Sequence, residues 1–433
     1  MSTLLIRGGR LLDPANGVDR VADVLVADGV IARIGDELSS VGVDRVVEAR
    51  GKVVAPGFID IHVHLRTPGQ EYKEDIRTGT AAAVRGGFVG VACMPNTSPV
   101  IDNAVTVTYV NTIAAQQGHC KVWPTGAITK GSKGAELAEI GEMKAAGIVA
   151  ITDDGMPVEN GETMRQAMIY AKQFNLMIMD HCEDKHLAGG GAMHFGKVSS
   201  LLGLKGMPAA AEEVQVARDV LLSMETGAHI HIQHVSSRRS VELIRWGKAM
   251  GANVTVEATP HHFTLTDEIV MEMAYATNTK MNPPVREAAD RQAILDGLRD
   301  GTIDCIATDH APHHVDEKEV EYQAAKFGIT GLETAVGLVI DRLVKPGIIT
   351  LEQMVRLMST RPAALIGVQA PALVEGAAAD ITVLDLEKVW TVRAEEMASK
   401  SRNTPFVGWE LTGAPHATVV GGVLKMEEMK VMG

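Results

Sequence analysis

Two histidines, two positions apart in Asp60-Ile61-His62-Val63-His64-Leu65-Arg66, are the first residues of this chain that could do chemistry. Side chains alternate along a strand, so His62 and His64 leave one face, and Arg66 continues on that face as far as the strand persists. Two imidazoles on one face can hold a metal ion. Further polar residues close other apolar runs: Met94-Pro95-Asn96, Thr152-Asp153-Asp154-Gly155, Asp180-His181, Gln233-His234 and Thr308-Asp309-His310-Ala311-Pro312-His313. Singly these have ordinary explanations, His181 or His234 as a hydrogen-bonded strand end and Asp153-Asp154-Gly155 as a turn or helix cap. Together, four histidines and two carboxylates supply nitrogen and oxygen donors suited to Zn2+ or a similar ion, and more than one tetrahedral site needs. The expectation is a two-metal site.

The elements that must position these residues are apolar runs at 58–62, 89–93, 121–125, 148–152, 176–180, 230–234, 253–257 and 303–307. Between them lie segments rich in helix formers, including Glu74–Gly86, Asn103–Gln117, Ala135–Ala146, Gly161–Phe174, Glu212–Thr226 and Ser240–Met250. Eight strands alternating with helices predict an α/β fold, a parallel (β/α)8 TIM barrel, with the polar strand ends gathered at one mouth. A doubly wound open sheet is the alternative, but no Gly-x-Gly-x-x-Gly follows an early strand. Both chain ends have another texture. Val24–Ile34 alternates around an Asp28-Gly29 turn, and Asp380–Asp385 and Ala417–Leu424 are strand-like, with a turn or bulge at Gly421-Gly422. These ends predict antiparallel strands meeting in a small discontinuous β-sandwich domain, residues 1–55 with 366–433, beside a barrel of residues 56–365.

At 433 residues and 46% hydrophobic content the chain can bury a large core. A formal charge of −13 with no basic tract excludes a nucleic-acid or anionic-membrane surface. No run is long enough to span a bilayer, and Met1–Arg7 is no signal leader, so a cytoplasmic protein acting on small molecules is expected. Four scattered cysteines suit a reducing compartment, and Cys182 should face away from its neighbour His181. His229 and His231 are expected to face helices or the core, opposite His234. His261-His262 can at most support the site, and His194 carries no inference.

Phe58–Arg66 and Ala307–His313 resemble the two signatures of the dihydroorotase family in the amidohydrolase superfamily. Met94–Thr97, Asp153–Gly155, His181-Cys182-Glu183-Asp184, Lys280-Met281-Asn282-Pro283-Pro284 and Phe327–Glu333 agree with it. The resemblance covers the barrel and, more weakly, both ends. It implies that His62, His64 and Asp309 bind one Zn2+ and His181 and His234 a second. Many relatives bridge the ions with a carboxylated lysine; here the resemblance places Asp154 as the bridge and leaves Asp153 a capping role. The implied reaction is the reversible cyclisation of N-carbamoyl-L-aspartate to L-dihydroorotate, a step of pyrimidine synthesis. In it Asp309 carries a proton between the nucleophile and the ring nitrogen. Arg66 would take the substrate carboxylate. Asn96, Asn282 and His313 would share the carboxylate and ring contacts, the backbone at Phe327-Gly328 would meet the ureide edge, and His314 would face solvent. Two alternatives remain open. One is a hydantoinase, dihydropyrimidinase or allantoinase, against which the missing lysine and the presence of Arg66 speak. The other is a non-catalytic homologue scaffolding aspartate transcarbamoylase, against which the full ligand set speaks. The partners in view are the small-molecule substrate, a second copy in a homodimer, and aspartate transcarbamoylase.

Overall fold

The computed structural model describes residues 3–432. All eight apolar runs carry strands. Phe58–Val63, Phe88–Cys93 and Lys121–Pro124 form one parallel sheet; Ala150–Ile151, Met177–Asp180, Ile230–Ile232, Val254–Ala258 and Cys305–Ile306 form another. Single parallel bridges, Gly126 to Ile151 and Val63 to His310, join the two sheets at both ends, so the pairing runs in a closed circuit.

Alternation sorts the strand residues between two cores. Met177 and Met179 join Ile59, Ile61, Val89 and Ala307 in one buried cluster. Ile178 faces the other way, into a larger cluster with the helix residues Met164, Ala167, Val216 and Val220. The helices follow their local signals. Asn103 accepts from Val105 N and Thr106 N at the head of Ala104–Gln117, and Asn160 does the same for Gly161–Gln173. Gly227, at φ 66°, closes Ala210–Thr226 in the left-handed conformation that glycine adopts without steric cost. The helix expected from Ala135 begins only at Ile140, because an antiparallel bridge between Thr129 and Leu137 keeps the preceding chain extended.

Both chain ends enter a single nine-stranded sheet. Val53–Pro56 pairs antiparallel with Ile381–Leu384 of strand Ile381–Thr391, and Asp28 and Gly29, both at positive φ, make the hairpin turn between Val18–Ala27 and Val30–Gly35. The sheet is mixed rather than antiparallel: Thr3–Asp13 pairs in parallel with Arg45–Glu48 and Val53–Pro56, because crossovers rather than hairpins connect them. The stretch after 391 contributes to a further buried cluster before the chain re-enters the sheet at Glu410–Val420. Val392, Met397, Phe406 and Leu411 are buried there with Met193, Leu265, Met281 and Ile329.

Candidate active site

Every residue singled out for metal, substrate or proton transfer except His62 lines one cavity of about 390 Å³. His62 is fully buried behind it, with Nε2 3.6 Å from Asp154 Oδ1 and 3.5 Å from Asp309 Oδ1. His64 Nε2 lies 3.1 Å from Asp309 Oδ1 and 3.3 Å from Asp154 Oδ2. His181 Nδ1 is 3.7 Å from Asp154 Oδ1 and 2.8 Å from His234 Nε2. Asp154 therefore stands between the two groups of histidines. Asp153 points elsewhere, accepting from Ile128 N at 2.8 Å, Thr129 N at 3.1 Å and the Thr129 hydroxyl.

Three of the imidazoles are oriented from outside. His62 Nδ1 lies 2.5 Å from Glu257 Oε1, His64 Nδ1 2.9 Å from Asn96 Oδ1, and His181 Nε2 3.0 Å from Glu183 Oε2. An acceptor at the outer nitrogen places the proton there and leaves the inner nitrogen a lone pair. These lone pairs converge with two carboxylates, and His62, His64 and Asp309, like His62, Asp154 and His234, bring ligand atoms within 4.8 Å of one another. Such a donor set fits divalent metal ions.

The backbone is bent to achieve this. Arg66, His234 and Asp309 all have positive φ, at 58°, 33° and 47°, a conformation that costs a non-glycine residue about 1–3 kcal/mol and persists where the surroundings impose it. The bend at His234 also corrects the reading of His231. Regular alternation stops at Ile232, so both His231 and His234 face the interior of the circuit, while Ile230 and Ile232 pack toward the helices. His231 Nε2 lies 3.2 Å from Glu257 Oε2, and its Nδ1 and His229 Nε2 lie 2.9 Å and 2.8 Å from Thr255 Oγ1.

Arg66 is buried, with only Nε bonded, to Pro312 O at 3.2 Å. Asn96 spends its amide on two of the converging side chains, accepting from His64 and donating to Asp154 O and Oδ2, each at 3.2 Å. Asn282 donates to Glu183 Oε2 at 2.5 Å, and its Oδ1 is buried with no partner among the described residues. His313 Nε2 donates to Phe327 O at 2.7 Å, and Gly328 N donates to Lys280 O at 3.0 Å, so part of the backbone edge expected to meet substrate holds the cavity wall together instead. His314 is part-exposed, as expected.

Glu257 and Glu183 escaped the sequence reading. Burial opposes the charge of Glu183, yet His181, Lys185 and Asn282 hold it down to about 2. Glu183 stood in a recognised phrase, beside His181; Glu257 sits in an ordinary-looking strand, and only the side-chain parity shared with His231 and the strand's place next to 230–232 hinted at it. His262 bonds Thr259 Oγ1 at 2.7 Å and Pro283 O at 3.0 Å, which supports the segment carrying Asn282. His194 lies 3.3 Å from Arg286, which pairs with Glu212. The Cys182 thiol faces Asp180 and Asp219, away from the cavity.

A family model described as Dihydro-orotase-like matches residues 51–240. The dihydroorotase of Pelotomaculum thermopropionicum is 54% identical over 98% of this chain and 99% of its own length. That of Geobacter metallireducens is 51% identical over 97% and 98%. Among solved structures, an L-hydantoinase (dihydropyrimidinase) from Arthrobacter aurescens superimposes with a TM-score of 0.88 at 27% identity, over 100% of this chain and 98% of that one. The dihydropyrimidinase of Brevibacillus agri, at 21% identity and a TM-score of 0.86, over 100% and 96%, shares the fold. Identity above one half along almost the whole chain makes this protein a member of the dihydroorotase family.

Proposed function

We propose that this chain, as a (β/α)8 barrel carrying two zinc ions bridged by Asp154, cyclises N-carbamoyl-L-aspartate reversibly to L-dihydroorotate. The observation that carries this reading is Arg66. Its guanidinium is buried at the cavity wall, and its terminal nitrogens have no acceptor among the described residues. A guanidinium facing a cavity with its terminal nitrogens unbonded is suited to a carboxylate, which it can hold through two parallel charge-assisted hydrogen bonds. Dihydroorotate carries that carboxylate, whereas hydantoin and dihydrouracil do not.

His62, His64 and Asp309 would hold one ion, His181 and His234 the other. When bound, the ions supply Lewis acidity, polarising the ring carbonyl and acidifying the attacking water. The chain supplies the rest. Glu257, Asn96 and Glu183 keep the imidazole lone pairs aimed inward. Asp309, held at the cavity wall by its left-handed backbone, takes a proton from the nucleophile and delivers it to the departing ring nitrogen, and returns it in the cyclising direction. Because Asp154 is itself anionic, this bridge needs no lysine carboxylation.

The test is turnover by metal-replete and chelated protein with dihydroorotate, hydantoin, dihydrouracil and allantoin. Metal-dependent turnover of dihydroorotate is the expected result. Turnover of hydantoin with none of dihydroorotate would place the chain among the hydantoinases its fold resembles.

A further inference from the structure

The wall of the cavity that carries His313, Phe327 and Gly328 is built from two loops with little regular structure, residues 311–314 and 327–331. They touch through Ala311 N to Ile329 O at 2.8 Å and His313 Nε2 to Phe327 O at 2.7 Å. Those contacts join the two loops to each other. One residue far along the chain closes them. Asn403 accepts from His313 N at 3.1 Å through Oδ1, donates through Nδ2 to Ala311 O at 3.1 Å and Gly328 O at 3.0 Å, and accepts from Thr330 N at 2.9 Å through its own carbonyl.

Asn403 is itself fixed. It is 4% exposed, and Phe406, packed edge-on to Trp409 with ring centroids 5.2 Å apart, anchors the segment in the core. Upstream, Ser401 Oγ donates to Lys73 O at 2.7 Å, and Lys400 pairs with Asp75 at 2.6 Å. The segment thus spans from the chain just after Arg66 to both wall loops.

We infer that Asn403 is a positioning residue that sets the distance between the Arg66 side and the His313–Phe327 side of the cavity, and so the fit of the carboxylate-bearing ring. This rests on the dihydroorotate reading. An amide suits the task because it offers one acceptor and two donors in a plane, matching one N–H and two carbonyls. The sequence gives no hint of it, since Arg402-Asn403-Thr404-Pro405 looks like a turn.

The experiment is Asn403→Ala and Asn403→Asp in the full metal-loaded chain, read by steady-state kinetics, metal content and amide hydrogen exchange. Losing ground-state fit should raise KM for dihydroorotate about 10-fold or more, with kcat within about 3-fold. Metal content should be unchanged and exchange faster at His313. Asn403→Asp keeps the acceptor for His313 N but replaces the donor, so its KM should also rise, and it remains informative if the alanine variant does not fold. An unchanged KM, or a fall in kcat and metal content together, overturns the inference. If the wild-type chain does not turn over dihydroorotate, the functional reading fails by itself. Asn403 is then judged on exchange alone, and unaltered exchange at His313 overturns the positioning role.

Discussion

Glu257 Oε1 lies 2.5 Å from His62 Nδ1 and also accepts the backbone N–H of His234 at 3.1 Å, so one carboxylate oxygen holds a residue from each group of histidines. Burial opposes the charge on Glu257, but His62 and His231 hold it below the usual carboxylate range. Replacing Glu257 by Gln keeps the shape and exchanges one acceptor oxygen for a donor. Removing such an outer partner lowers metal affinity about 10- to 100-fold, measurable by competition with a chelator at constant pH. Unchanged affinity would show that Glu257 only fills space.

The two adjacent aspartates should separate cleanly. Asp154→Asn is expected to lower the number of ions retained per chain while the fold persists. Asp153→Asn should retain the ions but lose stability, by roughly 1–3 kcal/mol, because the new amide N–H2 takes the place of the oxygen that accepts from the Thr129 hydroxyl. Metal analysis with urea unfolding on both variants decides it; the reverse pattern would move the bridge to Asp153.

Asp309→Asn preserves a ligand oxygen beside His64 but removes the proton carrier. Turnover should fall by about 100- to 10,000-fold, the usual weight of general acid–base catalysis, with metal content little changed. Full activity would remove Asp309 from proton transfer.

Substituting Arg66 by Gln removes the cation and should cost roughly 1.5–3 kcal/mol of carboxylate binding, about 10- to 100-fold in kcat/KM for dihydroorotate. Any slow hydrolysis of uncharged rings should be spared. Equal losses on both kinds of substrate would point to a general disturbance of the site.

Acid stability offers an independent check away from the ligands. Burial, with His231 beside it, pushes His229 from 6.5 down to about 4. Between those values the unfolded chain holds a proton that the folded chain lacks, so this histidine's contribution is complete above pH 6.5 and is lost as the pH falls toward 4. His229→Gln should make urea-derived stability less steep in that window, by at most about one proton. An identical slope would mean that His229 titrates alike in both states.

The eight runs and the convergence of His62, His64, Asp154, His181, His234 and Asp309 were legible because each rests on a local signal: apolar length, period two, and polar residues where a run stops. Legibility ended where geometry depended on distant chain. His231 was mis-oriented because parity was carried through His234, where the backbone turns left-handed. The helix at Ile140 was drawn too long because the bridge from Thr129 to Leu137 is a tertiary contact. Asn403 gave no signal, since the partners of its side chain lie 75 to 92 positions away in sequence.

The pairing of Val53 with Leu384 has a consequence for synthesis. At about 5–20 residues per second, the second strand leaves the ribosome some 15–65 s after the first. Until then the edge of Val53–Pro56, which leads directly into the first ligand strand, lacks this partner. A chain stopped short of residue 403 would carry all six converging histidines and aspartates and lack Asn403. Such a product would also lack Phe406 and the strand Glu410–Val420 that pairs with Ile381–Thr391, so premature termination should leave an incompletely folded chain rather than a weaker enzyme.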